Sequence, residues 1–155
     1  MKGCIEMQNI ETLFYTYRDD VYRMAVSYTK SIQEAEDVCQ SVFLKLMEQK
    51  SLQPGKEKAW LMQVTANLCR SLLRSGWWKK TVSLDDTILS QSTEYSDVLR
   101  TVFSLPPKYR VVIYLHYYEG YATAEIAKLL KISRSAVTTR LQRAREILKP
   151  QLEEV

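Results

Sequence analysis

Apolar residues recur along this chain at intervals of three and four rather than two. Leu13, Phe14, Tyr17, Val21, Ala25 and Tyr28 keep that spacing, which lines up one face of a helix. Ala35, Val38, Val42 and Leu46, with Cys39 and Phe43 beside them, predict a second helix over about residues 32–48, and a third covers about 57–75. No strand-like alternation persists. Glycine and proline fall between the stripes, at Pro54-Gly55, Gly76, Pro106-Pro107, Gly120 and, near the end, Pro150. From Gly76 to about Thr93 the stripe fades and polar residues take over; a second helical block begins near Glu94. The expected fold is all-α, with two small helical domains over 7–75 and 94–152 joined by a flexible linker, 76–93.

The stretch "ATAEIAKLLKISRSAVTTRLQRAREILK" predicts a short helix, a break and a longer helix, a helix-turn-helix. Ile126, Leu129 and Leu130 face a core, Ile132 plugs the turn and Ser133 caps the longer helix. Val137, Leu141, Ala144 and Leu148 form the inner stripe of that second helix. Ser135, Thr138, Thr139 and Gln142 then point away from the stripe, with Arg134 at the helix start. Short hydrogen-bonding groups of this kind suit base edges in a major groove. Arg140, Arg143 and Arg145 project on the flanks, where phosphates pass. A solvated basic helix of a bundle is the plainer alternative; turn, core stripe and charge together weigh against it.

The third helix, "EKAWLMQVTANLCRSLLRS", is apolar on two sides. Trp60, Leu61, Val64, Leu68 and Leu72 form one stripe and Met62, Ala66, Cys69 and Leu73 another. Between them runs a narrow polar stripe of Gln63, Asn67, Arg70 and Arg74, preceded by Lys56. Amides and guanidiniums without acids suit an anionic partner that offers base edges. Trp77 and Trp78, beside Lys79 and Lys80, are either stacking platforms for unpaired bases or a hydrophobic lid.

The second helix runs the other way in charge. Ser31 and Glu34 fit a capping box, and Glu36 and Asp37 gain from the positive end of the helix dipole. Leu44, however, lies nearly opposite the buried face, framed by Asp37, Gln40, Ser41 and Glu48. An apolar centre in an acid and amide rim resembles a protein-binding surface, and DNA would be repelled by it.

Composition narrows the function classes. The chain has 155 residues, 46% of them hydrophobic, and a formal net charge of +4, as for a soluble globular protein. Between Thr123 and Lys149 seven cations stand against two acids, so the positive charge is local. Cys4, Cys39 and Cys69 are unclustered and odd in number, and read as reduced thiols. His116 is the lone histidine, and Asp85-Asp86 reads as a solvated turn. No catalytic set, metal site or cofactor motif can be assembled, and the expectation is a cytoplasmic non-enzyme with neither a membrane span nor a secretory signal.

"EAEDVCQSVFLKL", "KAWLMQVTANLCRSLLR" and "LPPKYRVVIYLHYYEGYATAEIAKLLKISRSAVTTRLQRAREIL" resemble, in order, regions 2 and 4 of bacterial extracytoplasmic-function sigma factors. The resemblance spans nearly the whole chain. It implies a transcription initiation subunit without cofactors. Its acidic helix, here Glu36, Asp37, Gln40 and Leu44, would dock on the clamp helices of the largest subunit of core RNA polymerase. The flap of the second-largest subunit is a further implied contact. The resemblance assigns the minus-ten promoter element to Lys56, Gln63, Asn67, Arg70 and Arg74, and the minus-thirty-five element to Arg134, Ser135, Thr138, Thr139 and Gln142. It also implies an anti-sigma factor as partner and no membrane insertion. The chain departs from the family where Ala66 and Ser71 replace an arginine and an acid, where Lys131 replaces a turn glycine, and where Ala122 replaces a serine cap, leaving Thr123 as a substitute. A linker of about 18 residues reaches roughly 60 Å, comparable to about 17 base pairs at 3.4 Å each. Two rival readings are a stand-alone helix-turn-helix regulator and a helical bundle for protein interaction alone; the acidic patch separates the first of these from a sigma factor, which alone requires it to bind polymerase.

Overall fold

The computed structural model describes residues 7–49, 52–75 and 96–153. Helices α1 (Met7–Thr29), α2 (Ile32–Glu48) and α3 (Glu57–Arg74) come first. They are followed by α4 (Ser96–Phe103), α5 (Pro107–Ile113), a five-residue π-helical turn (Tyr114–Tyr118), α6 (Thr123–Leu130) and α7 (Arg134–Glu153). Among the described residues there is no strand. The linker, Trp77 to Lys80, Asp85-Asp86 and Cys4 lie outside the described residues.

Local chemistry sets the helix ends. Ser31, in extended backbone, accepts the Glu34 N–H on its Oγ at 3.2 Å and opens α2. Ser133 does the same for α7, accepting from Ala136 N–H at 3.0 Å. α5 starts with proline at its first turn, where the missing N–H costs nothing. α6 begins at Ala122, which has no side-chain acceptor; only the reverse half of a capping box is made, Ala122 N–H donating to Glu125 Oε1 at 3.0 Å. Thr123 is therefore the first helical residue and not a substitute cap. Lys131 does adopt the left-handed conformation, φ 58°. The Ile132 N–H then reaches back to the Ala127 carbonyl at 3.0 Å, the wrap that closes a helix ending this way. Pro150, expected between helical patterns, lies inside α7, where it cannot donate to the preceding turn.

Two groups of helices result, and their buried residues join in one hydrophobic core. In the first, Val21, Ala25, Val42, Leu46, Leu61 and Met62 are wholly buried; in the second, Val112, Leu115, Ile126, Val137 and Ala144 are. Each of these side chains other than the alanines contributes about 1.5–3 kcal/mol of burial. Phe14 departs from the expected stripe: it is exposed, though its ring meets Phe43 edge-on at 5.0 Å.

The groups also touch. α5 packs on α1 and α6 packs on α3, which is why α1 is buried continuously from Met24 to Thr29. Arg110 of α5, 2% exposed, donates to the carbonyls of Ser27, of Tyr28 at 2.7 Å, and of Leu105 at 2.8 Å. The first two carbonyls belong to the last turn of α1, which has no helical donors of its own. The contact is matched in the opposite direction: Arg70 of α3 donates to the carbonyl of Leu130, the last residue of α6. Each group supplies an arginine that closes a helix of the other.

Candidate functional site

On α2, Glu36, Asp37, Gln40 and Leu44 are all exposed, as the helical spacing requires. Leu44 is 55% exposed and Met47, one turn on, 56%. Met47 was not singled out from sequence, although its three-residue spacing from Leu44 was the available signal. The patch therefore has two apolar side chains at its centre, opposite buried Ala35, Val38, Val42 and Leu46.

The polar stripe of α3 is brought together, but against the second group of helices. Lys56 and Arg74 are exposed, while Gln63, Asn67 and Arg70 are half-buried. Besides reaching Leu130, the Arg70 guanidinium donates to Asn67 Oδ1 at 2.5 Å. Lys56 and Gln63 line a cleft of about 640 Å³ with Trp60, Tyr121 and Lys128. Ala66 is wholly buried, so an arginine there would have to displace core. Ser71 is exposed and accepts from Arg74 at 3.4 Å.

Arg134, Ser135, Thr138, Thr139 and Gln142 share the exposed side of α7, opposite buried Val137, Leu141, Ala144 and Leu148. Thr138 donates to the Arg134 carbonyl at 3.1 Å, and Gln142 to Glu146 at 3.4 Å. The Thr139 side chain makes no hydrogen bond among the described residues. Of the flanking arginines, Arg143 is exposed and Arg140 half-buried. Arg145 Nε donates to the Tyr117 hydroxyl at 2.6 Å and its guanidinium stands 5.5 Å from that ring, so an aromatic from the π-helical turn orients it.

One ion cluster joins the two groups. Lys58 Nζ stands 3.0 Å from Glu119 Oε2 and 3.8 Å from Asp20 Oδ1. Arg23 meets Asp20 at 3.0 Å, and the Tyr114 hydroxyl donates to Glu119 Oε1 at 2.6 Å. Burial acts to raise the Glu119 carboxyl, but the Tyr114 hydroxyl and the Lys58 ammonium outweigh it and leave its pKa below the ordinary value. Burial, then neighbouring Glu119, pushes Asp20 up. Burial raises the Cys39 thiol to about 12 and that of Cys69 higher still, which disfavours the thiolate at both. His116 Nδ1 lies 3.0 Å from the Tyr121 carbonyl, a structural bond. Among the described residues no cluster of His, Cys, Asp and Glu could hold a metal, and no helix is long and apolar enough to cross a membrane.

Residues 13–79 match the family model described as Sigma-70 region 2, and residues 96–148 the one described as Sigma-70, region 4. The chain is 30% identical to the ECF RNA polymerase sigma factor SigM of Bacillus subtilis, over 90% of this chain and 93% of that protein. It is 27% identical to SigW of the same organism, over 90% of this chain and 86% of that one. In fold it is similar to the sigma factor RpoE of Bartonella quintana, solved in complex with the anti-sigma factor NepR. The TM-score is 0.73 at 19% identity, over 95% of this chain and 98% of that one. With helical regions 2 and 4 both present in order, the chain belongs to the ECF family of RNA polymerase sigma factors.

Proposed function

We propose that this protein acts as an alternative sigma factor, binding core RNA polymerase, directing it to specific promoters and promoting initiation in the cytoplasm, with no catalysis of its own. The observation that carries this reading is a pair of surfaces opposite in character on one chain. The face of α7 offers short polar groups flanked by arginines, which fits DNA. The face of α2 offers Leu44 and Met47 exposed beside Glu36, Asp37 and Gln40, which DNA repels and a protein can bind. A stand-alone regulator has no use for the second surface.

In this reading residues 7–75 dock on the polymerase clamp through Glu36, Asp37, Gln40 and Leu44, and read the minus-ten element with Lys56, Gln63, Asn67, Arg70 and Arg74. Residues 94–152 read the minus-thirty-five element with Arg134, Ser135, Thr138, Thr139 and Gln142, steadied by phosphate contacts from Arg140, Arg143 and Arg145; the polymerase flap is their neighbour. Arg70 must release the Leu130 carbonyl before it can face DNA. An anti-sigma factor is a fitting partner, as one is for the RpoE to which the fold is similar.

Reconstitution with core polymerase on a promoter library, with start sites mapped, tests the reading. Specific initiation is expected. A chain that never associates with core enzyme, yet binds a palindromic operator tightly alone, would sink it. Asp37→Lys and Leu44→Ala should weaken polymerase association without loss of helicity, and Thr139→Ala should change minus-thirty-five preference.

A further inference from the structure

A cleft of about 290 Å³ opens between the start of α5 and one flank of α7, lined by Lys108 and Tyr109 on the first and Ser135, Thr139, Arg140 and Arg143 on the second. Three cations converge on it. None of them makes an ion pair with a carboxylate among the described residues. Lys108 Nζ stands 5.0 Å from the centre of the Tyr109 ring, which holds the ammonium at the rim. Arg143 and then Lys108, both beside the Tyr109 phenol, draw its pKa below the ordinary value. Tyr109 lines the same cleft and brings a phenolic O–H that can donate to an anion.

Like charges gathered in a concave site repel one another until an anion sits among them. The position says which anion. Ser135 and Thr139 lie on the base-facing side of α7, and a helix about 10–12 Å across fills a major groove about 12 Å wide, so that its flanks meet the two backbones. The α5 flank of the helix, where the cleft lies, is therefore where one backbone runs.

We propose that Lys108 and Tyr109 complete, with Arg140 and Arg143, a binding site for one DNA backbone phosphate beside the minus-thirty-five groove. This rests on the sigma-factor reading above. α5 lies outside the two helices of the helix-turn-helix, so its residues position the reading helix without touching a base.

Salt titration of promoter binding tests it, using holoenzyme made with the full chain. Loss of one phosphate contact makes the slope of log affinity against log salt shallower by about 0.9. For Lys108→Ala, a rise from 50 to 200 mM salt should therefore weaken binding about 3.5-fold less than it does for the wild type. The weakening should be equal across a minus-thirty-five base-substitution series. Lys108→Arg should restore the slope, and Tyr109→Phe should lower affinity with the slope unchanged. Lys108 is exposed, so helicity should not change. An unaltered slope, a changed base preference, or weaker association with core enzyme in place of weaker DNA binding would each overturn the site. The same titration on the free full chain with a minus-thirty-five duplex separates the two ideas. A wild type that fails to join core enzyme refutes the sigma reading, while the slope on the duplex still decides the phosphate.

Discussion

Arg110 is a cation 2% exposed whose hydrogen-bonding partners are carbonyl oxygens and no carboxylate. Burial lowers its pKa to about 10, still far above neutrality, so it stays charged. The planar guanidinium fork is what allows one side chain to meet several carbonyls at once, and a lysine ammonium lacks that reach. Arg110→Ala leaves at least three carbonyls, those of Ser27, Tyr28 and Leu105, without their donor. At about 1–3 kcal/mol for each buried group left unsatisfied, a loss above about 3 kcal/mol is expected. Urea unfolding measures it, with Arg110→Lys expected to recover only part. A loss below about 1 kcal/mol would show that water takes the arginine's place. The Lys131 backbone belongs at this scale too: its left-handed turn carries a cost of about 1–2 kcal/mol for a side chain with a Cβ, offset by the Ile132 to Ala127 bond.

At the scale of the helix, α6 is held at its start by half a capping box. Ala122→Ser supplies the missing acceptor, and about 1 kcal/mol of added stability is expected, read as a raised Tm. No gain would mean the serine hydroxyl cannot reach the Glu125 N–H. Helices were the most legible part of the sequence: α2, expected over about 32–48, runs Ile32–Glu48, because its apolar period and Ser31 cap are both local signals. The inner stripe of α7 was equally plain, Val137 to Leu148 all being buried. Pro150 misled because proline punctuates chains on average, whereas here α7 carries through it. The exposed faces of α2 and α7 followed from spacing. The half-burial of Gln63, Asn67 and Arg70 did not, since it depends on α6, some sixty residues away in sequence. The roles of Arg110 and Glu119 were hidden for the same reason: nothing beside them in the chain names their partners.

Across the whole molecule, the Asp20, Lys58 and Glu119 cluster makes the junction of the two groups sensitive to acid in two opposed ways. Glu119 is held below its ordinary pKa, so its contribution is complete above that value and is lost as pH falls through the lower folded one. Asp20 is raised, so it costs stability near neutrality, and that cost is relieved as pH falls. Glu119→Gln should therefore lower stability by about 1.5–3 kcal/mol at neutral pH, the scale of hydrogen bonds to a charged group. The gap to wild type should narrow below about pH 4. Urea unfolding at pH 7 and again near pH 3.5 checks both, and an equal loss at the two pH values would remove the charge of Glu119 from the account.

The reciprocal arginine contacts also bear on modularity. A helix is ordinarily finished by residues near its own end, yet the last carbonyls of α1 take their donor from a residue 82 to 83 positions away. Each half of the chain thus takes part of one helix end from the other. A hybrid that pairs residues 7–75 with the second half of another sigma factor inherits an unfinished helix unless the incoming half brings an arginine to the place of Arg110. Amide hydrogen exchange gives this a direct reading: in Arg110→Ala, the amides from Tyr28 to Lys30 should exchange faster than in the wild type, while the middle of α2 keeps its protection.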